Sequence, residues 1–165
     1  MQRMSKGFYL GSYIGGLIAT WVLSIIAIFI WPLFFVVIHI AVYVYVVNLI
    51  LLYKAWESIQ DGHARTGPCK AIGFLFIPFF NLYWIFRAYW GFALDYNSYI
   101  SRHGITAAHR LPDGLFLAFC ISVLLSWLPF VALANLIIYG VIISNICDGV
   151  NRLPSISTTS ASSEA

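Results

Sequence analysis

The chain has 165 residues, of which 61% are hydrophobic and 9% are charged, and its formal net charge is +3. Soluble domains carry about 25% charged residues, and the apolar surface of this chain would aggregate in water, so a soluble globular fold is excluded. The composition predicts an all-α integral membrane protein instead. Its basic residues are scattered through loops, which indicates a topology signal rather than a nucleic-acid surface.

Two apolar runs near the N-terminus predict a first helical hairpin. Each of the runs 10–30 and 33–53 has the roughly 20 residues that a helix needs to cross the bilayer core. Trp31 and Pro32 divide them with a tight turn, because proline removes a backbone donor and disfavours helix in the residue before it. The basic leader is typical of a signal peptide, but the apolar run that follows is too long, so we expect an uncleaved first helix.

Small residues recur every four positions along the first helix. They are Gly7, Gly11, Gly15 and Ala19, with Ser12, Gly16, Thr20 and Ser24 forming a second ridge beside them. Small residues at this spacing let helices approach closely in lipid. We predict that the first ridge is a helix-packing surface, with a pore lining or a seam between two copies as the alternatives.

A short repeat links the second helix to the C-terminal part of the chain. Residues 48–62 and 135–149 both start with Asn-Leu-Ile and finish with Asp-Gly, which is typical of a helix end. If the repeat is a duplication, the two helices run parallel and leave the membrane on the same side. Asn48 and Asn135 would then lie at similar depth, and we predict that their amides pair directly. An ion or solute ligand is the alternative role for them.

The middle of the chain, residues 71–102, is rich in aromatic rings. Pro78 interrupts a short apolar run, and helical periodicity from Asn81 onward separates a polar face from a face of rings. Because such rings favour the headgroup boundary, we predict that residues 71–80 dip into the bilayer and residues 81–102 lie along its surface. The predicted interfacial residues are Pro78, Asn81, Trp84, Arg87, Trp90 and Asp95.

The apolar run 115–146 is too long for one crossing and short for two. Trp127 and Pro129 predict a turn between helices 111–127 and 130–147, which gives two hairpins that flank the dipping middle segment. One alternative is a spanning middle segment followed by a single kinked helix. The other has five crossings, and the repeat argues against it because the two repeated helices would then be antiparallel.

The two-hairpin topology places nearly all basic residues on one face of the membrane. They are Arg3, Lys6, Lys54, Arg65, Lys70, Arg102, Arg110 and Arg152. The positive-inside rule makes that face cytoplasmic, together with both termini. Residues 1–153 then form a single membrane domain with four transmembrane helices, and the small polar residues 154–165 form a disordered tail.

One motif carries a resemblance to a known family. The pattern G-x-x-x-x-P-x-x-N-L, within a P-F-F-N-L-Y-W type segment between two helical hairpins, is similar to a bacterial multi-pass membrane family of unknown function. Its residues are Gly73, Pro78, Asn81 and Leu82. The resemblance covers most of residues 33–152, and it implies a bacterial inner-membrane location and a four-helix core. It assigns no catalytic or binding residue.

Few histidine or cysteine side chains are candidates for a metal-binding or catalytic site. We expect His39, which lies within an apolar run, to be a neutral ring bonded to a neighbouring hydroxyl or carbonyl. The loop residues have irregular spacing, which does not predict a metal site; they are His63, Cys69, His103 and His109. The sequence has no nucleophile, phosphate-loop or paired-carboxylate motif, so we predict no catalytic or cofactor site. An interfacial enzyme built from Arg87, Asp95 and His103 is the alternative.

These observations predict a non-enzymatic membrane protein that docks a partner or senses the bilayer. The expected partners are the lipid bilayer, a second copy of the chain or another membrane protein, and not nucleic acid. The alternative function is a small-solute or ion permeation unit that acts as an oligomer. Transport routes usually keep ionisable groups inside the membrane, and the predicted helices carry almost none.

Overall fold

The computed structural model describes residues 5–27 and 33–153, and all regular elements in these ranges are helical. The α-helices in chain order are α1 (Lys6–Ala27), α2 (Leu33–Glu57), α3 (Pro68–Gly73), α4 (Phe80–Ile85), α5 (Gly91–Arg102), α6 (Asp113–Leu124) and α7 (Pro129–Asn151). A 3₁₀ turn, Phe74–Phe76, continues α3, and a π-helical turn, Phe86–Trp90, joins α4 to α5. The predicted turn at Trp31 and Pro32, the basic residue Arg3 and the tail 154–165 lie outside the described residues.

Three of the described helices are long and apolar enough to cross a membrane. They are the segments Lys6–Ile26, Phe35–Glu57 and Pro129–Asn151. Helix α6 is also apolar, but its 12 residues extend only about 18 Å, less than the predicted helix 111–127. It begins after Pro112 and ends at Leu125, where the backbone leaves the helical conformation. The predicted all-helical membrane fold is confirmed, with three spans by length and composition.

Helices α2 and α7 run in the same direction, as the repeat predicts. The short connection between α1 and α2 makes these neighbours antiparallel. Helix α7 is also antiparallel to α1, because Tyr13 Oη donates to Leu136 O at 3.2 Å and Lys6 Nζ lies 2.6 Å from Asp148 Oδ2. The five-crossing alternative requires the opposite direction for α7 and is therefore wrong.

Helices α6 and α7 form a second hairpin. Ser122 Oγ lies 3.0 Å from Asn135 Oδ1, and the rings of Phe119 and Tyr139 stack at 5.1 Å. Phe119 precedes Ser122 on α6, but its partner Tyr139 follows Asn135 on α7, so the two helices are antiparallel. The single kinked helix considered for this region is wrong, because Pro129 starts a new helix instead of bending an existing one.

A cluster of fully buried residues surrounds the end of α2, where Trp56 meets the π-helical turn and α5. The Trp56 side chain is fully buried, its ring contacts Phe92 at 5.6 Å, and its Nε1 donates to Ala88 O at 3.0 Å. Ala88 belongs to the π-helical turn, whose looser backbone geometry leaves a carbonyl room for a side-chain donor. We call this region the packed junction; its fully buried residues are Leu51, Leu52, Trp56, Phe92, Tyr96, Phe116, Ile142, Ile143 and Ile146.

The aromatic face of α5 does not lie against the headgroups as the sequence predicts. Phe92 and Tyr96 are fully buried, and the Asp95 side chain on the polar face is buried as well. Helices α2 and α6 cover this part of the chain, so its rings pack within the protein. The prediction that the rings of α5 face the bilayer surface is therefore corrected, whereas Tyr83 of α4, earlier in the same range, is exposed.

The two Asp-Gly pairs of the repeat have different structures. Helix α2 already ends at Glu57, and Gly62 lies in the following loop with φ +85°, a conformation that glycine adopts without strain. Gly149 lies inside α7, where a Cβ atom would stand 2.9 Å from Tyr96 Oη. The second glycine therefore makes room for a neighbouring ring instead of ending a helix.

Candidate functional site

A short helical hairpin stands between the two long ones. Helix α3 with its 3₁₀ turn packs against α4. Trp84 Nε1 donates to Ala71 O at 3.0 Å, and the Phe74 ring packs on Trp84 at 4.6 Å. We call residues 68–85 the aromatic hairpin. Its Trp84, for which the sequence predicts an interfacial position, holds the two arms of the hairpin together.

The tip of the aromatic hairpin is a strained turn. Phe80 N–H donates to Pro78 O at 2.7 Å and closes a γ-turn around Phe79, which has φ +63° and ψ −43°. A positive φ costs a side chain with a Cβ atom roughly 1–2 kcal/mol, and a bulky ring there is rare. The Phe79 side chain is 90% exposed, so no burial within the chain offsets this cost.

The tip lies beside the middle of α2. The Phe76 ring is 6.1 Å from the ring of Tyr45, which lies near the centre of the 25-residue helix. The opposite end of the segment returns to the end of α2, where Ala88 and Phe92 meet Trp56. The chain between Pro68 and Arg102 therefore runs halfway along α2 and comes back.

Two ion pairs hold the base of this segment to the loop after α2. Asp95 accepts hydrogen bonds from Arg65 through Nε at 2.6 Å and through the backbone N–H at 2.9 Å. Asp61 accepts from Arg102 Nη2 at 2.8 Å and from His63 N–H at 2.9 Å. Desolvation raises the pKa of Asp61, but its hydrogen bonds and the charge of Arg102 outweigh that effect and lower it.

In the described loops, ionisable side chains form ion pairs and not a group of metal ligands. His63 and His103 approach Asp61 at 3.9 and 4.0 Å, but Arg102 already binds that carboxylate. Within residues 5–27 and 33–153, no three His, Cys, Asp or Glu side chains are placed to hold a metal ion. In the alternative interfacial grouping of Arg87, Asp95 and His103, the Asp95 carboxylate is bound to Arg65.

A cavity of about 440 Å³ lies in the middle of the helical bundle, beside the aromatic hairpin. Asparagines from α2, α4 and α7 reach it, and the rest of its wall is aliphatic, aromatic or hydroxyl-bearing. We call it the amide cavity; its wall includes Tyr13, Leu17, Thr20, Ala41, Val44, Tyr45, Asn48, Leu75, Asn81, Ile85, Tyr89, Phe119, Asn135, Leu136 and Tyr139. Sequence analysis singled out all three asparagines but did not predict that they share one cavity.

The predicted direct pairing of Asn48 with Asn135 is wrong in this structure. Asn48 Nδ2 donates to Val44 O in its own helix at 2.7 Å, and Asn135 Oδ1 lies 3.0 Å from Ser122 Oγ. The two helices do run parallel, but their spacing at this level leaves the cavity between the amides. Each amide therefore finds a nearer partner and faces its counterpart across open space.

The close approach of α1 to α2 uses the second ridge of small residues. A Cβ atom at Gly16 would overlap Val44 Cγ2, whereas Cβ atoms at Gly7, Gly11 and Gly15 would meet no atom within 4 Å. The predicted packing ridge therefore makes no close contact within one chain among the described residues. The rotation of α1 about its axis determines which ridge contacts α2. Because both ridges consist of small residues, the sequence does not show which of them faces α2.

Two further observations concern single side chains. His39 Nδ1 lies 2.7 Å from Phe35 O, which confirms a neighbouring backbone carbonyl as its partner. The hydroxyls of Tyr96 and Tyr99 are buried and find no hydrogen-bond partner in the described part of the chain, a feature without a sequence signal.

Comparisons with known proteins give no relative for this chain. No protein-family model, curated protein or solved structure matches it.

Proposed function

We propose that the chain is a non-enzymatic, multi-pass membrane protein that docks a partner within the bilayer through the tip of its aromatic hairpin. The observation that carries the proposal is the strained γ-turn, which holds the Phe79 ring almost fully exposed. Backbone strain without compensating burial is typical of functional positions. A glycine would form the same turn without strain, so the ring serves a contact outside the chain.

The docking proposal includes a position in the membrane. The aromatic hairpin enters one leaflet as a re-entrant segment, since Phe76 contacts the middle of a helix long enough to span. Helix α6 and residues 125–128 serve as the fourth crossing. The end of the bundle that joins Lys6 to Asp148 and Arg102 to Asp61 is cytoplasmic by the positive-inside rule. The family resemblance supports a bacterial inner membrane.

Photo-crosslinking in native membranes tests the docking role. Benzoylphenylalanine replaces Phe79 or, as a matched control, Phe130, which is also highly exposed but lies at the start of α7. We expect a discrete protein adduct from position 79 and only lipid adducts from position 130. The reason is that only the hairpin tip is shaped to present its ring to a partner.

A second variant separates docking from folding. Phe79→Gly relieves the positive φ and should raise the free energy of unfolding by about 1 kcal/mol. A benzoylphenylalanine at the neighbouring Phe76 should give a protein adduct while Phe79 is present and should lose it in Phe79→Gly, although the fold is then more stable. Lipid adducts alone at position 79 would contradict partner docking and leave bilayer sensing as the role of the tip.

Permeation is the second candidate function, and the amide cavity is the observation that favours it. Three asparagines bring uncharged polar groups into the middle of an otherwise apolar bundle. Flux of ions and small solutes into liposomes measures the activity directly. A Cβ atom at Gly11 would meet no atom of the described residues within 4 Å, so we expect Gly11→Leu to reduce flux by disturbing contacts between copies. Reproducible flux that this variant abolishes would support an oligomeric permeation unit over docking.

A further inference from the structure

We propose that the amide cavity binds an uncharged lipid that carries both a hydroxyl group and ester carbonyls, of which a diacylglycerol is the simplest example. The proposal is independent of the docking role of the aromatic hairpin, because it concerns the interior of the bundle. Four observations lead to it: the unused hydrogen-bonding atoms of the asparagines, their convergence, the lack of charge in the wall, and the opening of the cavity.

The three amides of the cavity keep hydrogen-bonding atoms without a partner. Asn48 donates to Val44 O, but no described residue donates to its Oδ1. Asn81 makes no side-chain hydrogen bond with any described residue. Ser122 has a single hydroxyl proton, which Phe119 O at 2.8 Å and Asn135 Oδ1 at 3.0 Å both attract. Asn135 therefore engages Ser122 through one atom of its amide and leaves the other atom free.

The three asparagines are only partly buried. A bilayer core holds no water, however, so an amide atom that lacks a hydrogen-bond partner is costly there. Asn48, Asn81 and Asn135 come from three different elements, α2, α4 and α7, yet all reach the same space. A molecule in that space that both donates and accepts hydrogen bonds would satisfy them together.

The chemistry of the wall selects the ligand. No charged residue is present among the described residues that line the cavity, so burying a phosphate or carboxylate there would be costly. The free amide atoms include donors and acceptors, which excludes hydrocarbons and favours a hydroxyl beside a carbonyl over acceptor-only molecules. Leu17, Leu75 and Phe119 supply apolar contacts for the start of an acyl chain.

The size and the opening of the cavity fit the polar end of such a lipid. A volume of about 440 Å³ lies within the roughly 300–1,000 Å³ of small-molecule sites. Ala41 and Tyr45 in its wall are exposed, so the cavity is open and not enclosed at this side. The glycerol, the ester groups and the first carbons occupy the cavity, and the acyl chains continue through this opening into the bilayer.

Photoaffinity labelling in phosphatidylcholine liposomes tests the assignment. The full chain is reconstituted with a diacylglycerol that carries a diazirine near the ester end of one acyl chain, and mass spectrometry maps the adducts. Asn81→Leu is the principal variant, because its side chain bonds to no described residue and its loss removes no hydrogen bond from the fold. Asn145→Leu is the matched control, since Asn145 lies on α7 outside the cavity and donates to Val141 O.

We expect adducts on residues that line the cavity, with labelling about tenfold weaker in Asn81→Leu and unchanged in Asn145→Leu. Unlabelled dioctanoylglycerol should compete, whereas dioctanoyl phosphatidic acid, with the same chains and an added phosphate, should not. Adducts spread evenly over the lipid-facing helices would overturn the proposal, as would equal labelling of the two variants. Equal competition by phosphatidic acid would overturn the uncharged character of the site.

Discussion

The packed junction and the amide cavity share helices α2, α6 and α7 but differ in how tightly these helices pack. Helix α2 carries Trp56 in the junction and Asn48 in the cavity, about 12 Å apart along its axis. Trp56 is fully buried and its polar atom has a partner, whereas Asn48 keeps an unused oxygen beside about 440 Å³ of open space. The difference teaches that packing which stabilises the fold is concentrated at the charged end of the bundle.

The middle of the helical bundle can therefore be loosely packed, because the junction already holds the helices in position relative to one another. Leu51, Phe116 and Ile143 are buried there from three different helices. The free energy of unfolding should therefore depend on the junction, and ligand binding on the cavity. Substitutions inside the junction and the cavity, each compared with a matched substitution outside them, test whether stability depends on the junction and binding on the cavity.

The largest expected effect is at the junction. Trp56→Ala removes a fully buried ring and a hydrogen bond to Ala88, and we expect it to lower the free energy of unfolding by about 3–5 kcal/mol. Unfolding in mild detergent, followed by circular dichroism, measures the change. Trp127→Ala is the control, because that ring is 76% exposed and its loss should cost under about 0.5 kcal/mol. Similar losses for the two tryptophans would show that the junction does not dominate stability.

The next effect concerns the contact of α1 with α2. Gly16→Leu should destabilise the hairpin by about 1–3 kcal/mol, since its side chain would overlap Val44, a stiff β-branched residue. Gly15→Leu should change little, because a Cβ atom there meets nothing. Detergent stability and size-exclusion chromatography of the two variants make the comparison. A large loss in Gly15→Leu together with a change of oligomeric state would restore the first glycine ridge as a seam between copies.

A smaller effect is expected at the cavity wall. The bond between Ser122 and Asn135 should give a coupling energy near 0.6 kcal/mol, and at most about 1.7 kcal/mol, in a double-mutant cycle of Ser122→Ala with Asn135→Leu. Asn48→Leu with Asn135→Leu should be additive, because the two amides do not bond. Strong coupling of the two asparagines and none with Ser122 would reinstate direct amide pairing.

The smallest effect is the pH dependence of the Asp61 pair. The pKa of Asp61 is lowered below 3.8 in the folded chain, so its stabilising contribution is complete above the unfolded value and is lost as the pH falls through the folded value. Because Arg102 is partly exposed, we expect at most about 1 kcal/mol. Arg102→Gln should flatten the stability profile below pH about 4. A profile that this substitution leaves unchanged would assign the acid sensitivity to another carboxylate.

Features determined by nearby residues could be predicted from the sequence. The long apolar runs predict α1, α2 and α7, Pro129 starts a helix, and His39 bonds within its own turn. These features depend on composition and on neighbours up to about four positions away.

Features that depend on packing between distant elements could not be predicted. The bond from Trp56 to Ala88 spans 32 positions and depends on a π-helical turn without a distinct motif. The amide cavity requires the rotation of α2, α4 and α7 about their axes, which side-chain packing along each whole helix determines. In the same way, the rotation of α1 about its axis determines that Gly16, and not Gly15, meets α2.

The most direct test of the account measures from which side of the membrane a reagent can label the tip of the aromatic hairpin and the end of α5. Single cysteines at Phe79 and Ser101, in a chain without Cys69, Cys120 and Cys147, are treated with an impermeant maleimide in intact cells and in inverted vesicles. The account predicts that Ser101→Cys is labelled only in inverted vesicles and that Phe79→Cys is labelled in neither, because the hairpin tip ends within the bilayer. Labelling of Ser101→Cys in intact cells would place this end of α5 on the outer face and contradict a segment that enters and leaves the membrane on the same side.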